Sequence, residues 1–173
     1  MLYSLQKGRG SKEMSIADTY KVALFGHRDF DGHRMLDERL YPLLQDLIRT
    51  KPFLEIYIGR NGEFDRYAAT VVKRLQKAMG TANNALICVL PYSVRDIDYY
   101  EEYYDAVILP ECIERMHPKA AIVKRNQWMI EQADLVILYV ERKEGGAYTA
   151  QKYAEGLGKK NINLAIREPD EAE

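Results

Sequence analysis

From Tyr20 onward the chain alternates two hydrophobic rhythms. Short, continuous apolar runs stand at Lys21–Phe25, Phe53–Ile58, Ala85–Leu90, Ala106–Leu109, Leu135–Val140 and Ile162–Ile166. Such a run reads as a strand buried on both faces, and glycine or proline closes several of them (Gly26, Gly59, Pro91, Pro110). Between the runs, apolar residues recur at helical spacing. One set runs from Met35 to Ile48, a second from Phe64 to Met79, a third from Ile122 to Ala133 and a fourth from Ala147 to Leu157. Pro42 predicts a kink or restart in the first helix, Pro118 suits the first turn of the third, and Gly158 suits the C-cap of the fourth. Strands alternating with helices predict one α/β domain, Rossmann-like and three-layered, with a mainly parallel sheet over residues 20–166. Residues 1–19 read as a flexible lead-in and 167–173 as an acidic tail. The acidic, aromatic segment Arg95–Tyr104 reads as a short helix or a structured loop.

Composition narrows the class. A chain of 173 residues fits one domain. Lys plus Arg number 25 against 26 Asp plus Glu, a net charge of −1. Proteins that coat nucleic acid carry a marked basic excess, so nucleic acid is expected to be an unlikely partner. Cys88 and Cys112 make no disulfide framework and fit a reducing cytosol. No apolar run approaches the roughly 18 residues of a membrane span, so no membrane partner is expected. His27, His33 and His117 share no metal-ligand spacing with each other or with the cysteines, so no metal and no cofactor are expected.

In an open parallel sheet, ligands bind beyond the carboxyl ends of the strands. Three such ends carry glycine: Gly26-His27-Arg28, then Gly59-Arg60-Asn61-Gly62-Glu63-Phe64-Asp65, then Glu141 through Thr149 with Gly145-Gly146. Each turn opens a helix, and helix N-terminal amides favour anions. Gly26, His27, Arg28, Gly59, Asn61, Gly62, Gly145, Gly146 and Thr149 therefore outline a site for a phosphate-sized, nucleotide-like ligand. Gly145-Gly146 fits equally a loop that needs positive φ, and Asp65 fits equally a helix-capping role. Asn126 falls on the apolar stripe of its helix, where an amide needs a partner, and Lys124 and Arg125 flank it.

In these same residues the chain resembles the SLOG superfamily, named for the Smf/DprA and Lonely Guy proteins, and most of all its YpsA-like branch of small bacterial and phage proteins. The likeness is carried by Val22–Arg28, Gly59–Asp65 with Ala68-Ala69, Tyr104–Leu109, Lys124–Met129, Asp134–Val136 and Gly145–Thr149. It implies a Rossmann-like domain that binds nucleotides or nucleotide-derived ligands. Lonely Guy members cleave the N-glycosidic bond of nucleoside monophosphates with a helix arginine and the glutamate of a G-G-x-G-T-x-E loop. By position Arg125 is similar to that arginine, and Gly145, Gly146 and Thr149 to the loop. Tyr148 stands in place of the third glycine and Gln151 in place of the glutamate.

The expected function is binding of a nucleotide-derived small molecule at the carboxyl edge of the sheet, as a sensor or carrier, with Arg125 and Asn126 in the site. The alternative is an N-glycosidic hydrolase with Glu63 or Asp65 as its catalytic carboxylate. A homodimer is the expected assembly for a domain of this size and type.

Overall fold

The computed structural model describes residues 18–166. Six strands, β1 (Thr19–Gly26), β2 (Phe53–Ile58), β3 (Asn84–Val89), β4 (Ala106–Ile108), β5 (Leu135–Tyr139) and β6 (Asn161–Asn163), form one sheet in the order β4-β3-β2-β1-β5-β6. Every neighbouring pair is parallel. The helices are α1 (His33–Thr50), α2 (Glu63–Met79), α3 (Ile97–Tyr103), α4 (Pro118–Gln132) and α5 (Gly145–Gly156), with a 3-10 turn at Glu111–Ile113. The expected three-layer α/β domain is therefore present, and its sheet is parallel throughout. The lead-in and the acidic tail fall almost wholly outside the described residues.

Alternation along each strand sorts the two faces. Val22 and Leu24 of β1 join one core with Leu36, Leu40 and Leu44 of α1 and Phe64, Ala68 and Leu75 of α2. Ala23 and Phe25 point the other way and pack with Met129 and Ile130 of α4 and Ala147, Ala150 and Ala154 of α5. Both faces are covered, which is why the strand sequences read as continuous apolar runs. The alanine stripe of α5 lets that helix lie close to the sheet.

Some boundaries differ from the sequence reading. Helix α1 continues through Pro42. That residue is exposed, as is Glu38, whose carbonyl lacks the usual N–H partner, so the break in the ladder falls on the solvent side of the helix. The last strand is shorter than expected: after Asn163 the chain turns, and Asn163 Oδ1 accepts from the amides of Val140 and Ala165. The acidic aromatic segment is helix α3, with Tyr104 buried behind it and Tyr99 exposed. No helix of the described residues is long and apolar enough to cross a membrane.

The chain runs outward from β1 through β2 and β3 to β4, then returns through α4 to place β5 on the other side of β1. The order reverses between β1 and β5. Loops leaving those two strands diverge to opposite faces and open a crevice at their carboxyl ends.

Candidate functional site

A cleft of about 500 Å³ occupies this switch point. Its lining includes Gly26, His27 and Arg28 after β1, Gly59, Asn61 and Asp65 around the start of α2, Arg125 and Asn126 of α4, and Arg142, Gly145 and Gly146 before and at the start of α5. The three strand ends therefore converge as their glycines predict. Four residues of the expected site play other parts. Gly62 does not line the cleft: it has φ +133°, and a Cβ there would lie 2.7 Å from Arg28 Cα, so it serves the close seam between β1 and α2. Thr149 is exposed and its hydroxyl donates to the Gly145 carbonyl at 3.1 Å, one turn back along α5. Glu63 is exposed and pairs with Arg66. His27 lines the cleft but is 5% exposed and already committed. Its Nε2 accepts from the Glu141 and Arg142 amides, both at 3.2 Å. It is thus neutral, with its proton on Nδ1, and ties the loop after β5 to the end of β1. Burial first, then the nearby Arg142 charge, holds its pKa below the ordinary histidine value.

Arg125 is the buried cation of the site, 3% exposed. It stands on the stripe Ala121–Arg125–Met129, one residue away from where the apolar spacing placed the anomalous polar group at Asn126. Its Nη1 donates to the Val89 carbonyl at 2.7 Å and its Nε to Asn126 Oδ1 at 2.8 Å. Two anchors fix the guanidinium plane, and its remaining N–H donors have no acceptor among the described residues. Among the described residues no carboxylate lies within ion-pair distance of it, and Asp65 is the first charge that acts on it from farther off. Burial pulls its pKa down, although a guanidinium stays charged. A buried, oriented cation with spare donors in a cleft wall is a receptor for an anion.

Asp65 faces Arg125 across Gly59. A Cβ on Gly59 would stand 2.8 Å from Asp65 Oδ2 and 2.9 Å from Arg125 Nη1, so only glycine leaves both side chains in place. Asp65 Oδ2 accepts from the Asn61 amide at 2.9 Å and so secures the turn into α2, although the cap position itself, Gly62, has no side-chain cap bond. Desolvation in this crowded corner pushes its carboxyl up to about 6, outweighing Arg125 and the Asn61 amide, which pull it down. A folded-state value above the unfolded one means stability from this group that is present at low pH and lost as pH rises from about 4 through about 6. Asp65→Asn is therefore expected to raise the melting temperature at pH 8 and to leave it nearly unchanged at pH 4, measured by thermal denaturation across pH.

Helix α5 points its N-terminus at the cleft. Gly145 has φ +79°, so the left-handed turn does account for one glycine of the pair. Gly146 has no such need, and a Cβ there would meet nothing within 4 Å. Its side of the helix opens into the cleft. Ile122, Asp29 and Glu144, which the expected site did not include, also line the cleft, with Leu24, Phe25 and Ala147. Ile122 precedes Arg125 and Asn126 by one helical turn, and Glu144 stands in the strand-end loop Glu141 through Thr149, which are usable signals; Asp29 had none. The sole tryptophan, Trp128, packs edge-on against Tyr57 at 5.8 Å, outside the cleft.

No protein-family model matches the sequence, and no curated protein sequence is significantly similar to it. Among solved structures it is similar to the DNA processing protein A of Helicobacter pylori, described for its single-stranded DNA binding mode. The identity is 16% and the TM-score 0.56, over 82% of this chain and 63% of that one, so the likeness is one of fold. It corrects one expectation. Near-zero net charge predicts that nucleic acid is an unlikely partner, yet a single-stranded-DNA-binding protein is built on the same fold. Net charge sums the whole surface, whereas binding responds to the local field. Here three arginines, Arg28, Arg125 and Arg142, line the cleft beside three carboxylates, Asp29, Asp65 and Glu144, and the acidic α3 packs by β4, at the sheet edge beyond β2 and β3.

Proposed function

We propose that the switch-point cleft binds the phosphate of a nucleoside 5′-phosphate, either as a free nucleotide or as the terminal nucleotide of a single strand. The observation that carries this reading is Arg125, buried and doubly anchored, with donors to spare beside the open N-terminus of α5. The phosphate would rest on the Gly145-Gly146-Ala147 amides and Arg125, with Arg28 and Arg142 at the mouth. This agrees with the SLOG-like, YpsA-like reading of the sequence, and the fold shared with a DNA-binding protein supports the strand-end source.

A second reading, N-glycosidic hydrolysis, draws support from Asp65. A carboxyl raised to about 6 in a ligand cleft is suited to proton transfer near neutral pH, and Glu63 faces solvent. Calorimetric titration with AMP and with a 5′-phosphorylated single-stranded oligonucleotide, followed by chromatography for free base, separates the readings. Binding without base release supports a receptor; release lost in Asp65→Asn supports the hydrolase; no binding of either probe refutes the site. Within the phosphate reading, Gly146→Ala is expected to weaken AMP binding at least about tenfold. Its melting temperature should hold or rise, since alanine suits a helix better than glycine.

A further inference from the structure

A second cavity, of about 460 Å³, lies between α4 and α5 and is lined mainly by apolar side chains: Ile122, Val123, Ile130, Ala150 and Tyr153 with Thr149. It is continuous with the cleft, because Ile122, Asn126 and Gly146 line both. We propose that this cavity receives the base of the nucleotide whose phosphate occupies the cleft. The inference rests on the phosphate reading above and extends it to the ligand's other end.

Its walls suit a heteroaromatic ring. Val123 is an aliphatic side chain left 44% exposed, and the Tyr153 hydroxyl donates to Glu131 Oε1 at 2.6 Å, which holds that ring as a fixed wall. Flat apolar surfaces of this kind gain by covering the faces of a ring. The seam adds an edge contact. Because Arg125 Nε donates to Asn126 Oδ1, the Asn126 amide is oriented and its Nδ2 donors are left without a partner among the described residues. A base carries ring-nitrogen and carbonyl acceptors that such a donor can meet. A purely apolar occupant, such as a hydrophobic helix face of a second copy of this chain, would bury that donor unsatisfied. Thus the same asparagine that braces the phosphate-side arginine also presents a donor toward the base side.

Titration calorimetry with AMP and with ribose 5-phosphate tests this. The wild-type protein is expected to bind AMP at least about tenfold more tightly than ribose 5-phosphate. Val123→Trp and Thr149→Tyr, both at exposed positions that line only the second cavity, should remove that advantage and leave ribose 5-phosphate binding unchanged. Circular dichroism confirms that each variant is folded. Equal affinity for the two ligands, with both lost in Arg125→Met, would overturn the base pocket and leave the phosphate cleft standing. Failure of both ligands to bind the wild type would sink the phosphate reading and this one with it. A dimer that Val123→Trp dissociates, with AMP affinity unaltered, would assign the cavity to a second copy and overturn the proposal. A 5′-phosphorylated oligonucleotide that binds more tightly than AMP and loses affinity in Val123→Trp places the base at a strand end. AMP binding as tightly as the oligonucleotide, with the same loss, places it on a free nucleotide.

Discussion

Gly26→Ala is expected to destabilise the protein by about 3 kcal/mol, the upper end of the range for overpacking a close contact. For a domain of this size that is a fall in melting temperature of roughly 6–12 °C. The cause is steric, not conformational. A Cβ on Gly26 would stand 2.1 Å from the Phe64 ring, which is itself 1% exposed and packed edge-on against Phe30 at 5.5 Å. The ring cannot swing aside, so the start of α2 must move, and with it Asp65 one residue on. Chemical denaturation measures the loss. Its origin is checked by repeating Gly26→Ala in a Phe64→Leu background, where the smaller side chain should absorb much of the added methyl and the two costs should fail to add. Full additivity would place the strain elsewhere.

Arg125→Met should lower affinity for a nucleoside 5′-phosphate by roughly 100-fold, the effect of losing one or two charge-assisted hydrogen bonds to a dianion. Methionine keeps approximate length and burial, so the comparison is not one of a cavity against a filled site. The same substitution removes the cation facing Asp65. That carboxyl should then titrate above about 6, its present value, because Arg125 is the first of the influences that pull it down. A carbon-detected NMR titration of the side-chain carboxyl reads this directly. Arg125→Lys is expected to recover little. An ammonium presents no planar fork to hold the Val89 carbonyl and Asn126 Oδ1 together while also meeting a phosphate.

Much of this fold is legible in the sequence because its strands are buried on both faces. Runs such as Leu135–Tyr139 are apolar throughout, and all five residues of that strand are buried. The edges were less legible. β6 carries Asn161 and Asn163, chosen by the turn and by the Val140 amide, not by burial, so its end was misplaced. Of the two effects Pro42 predicts, the restart is absent, since α1 runs through it at an exposed position, which follows from tertiary placement. At the site, glycines marked the right loops but for mixed reasons. Gly26 and Gly59 exist for close approach, Gly145 for positive φ and Gly62 for both, and of the glycines in these loops Gly146 alone leaves unexplained open space. A sequence pattern does not separate these three causes. His27 was read as an anion contact, whereas its ring nitrogen is occupied by two backbone amides 114 and 115 residues away along the chain. Nothing local to Gly26-His27-Arg28 encodes that partner. Net charge misled most, since a sum of −1 does not say where charges stand: Arg28, Arg125 and Arg142 line the cleft beside Asp29, Asp65 and Glu144, and of these six only Arg125 is buried.

Phosphate binding is proposed at the β1–β5 switch point. Backbone amide chemical-shift mapping during titration with AMP tests it most directly. The expected result is saturable shifts concentrated at Gly145, Gly146 and Ala147, with a second group at His27, Arg28 and Asn61, and none of comparable size in Arg125→Met. Shifts centred on α3 or on the β4 edge, or a pattern that Arg125→Met leaves intact, would contradict it.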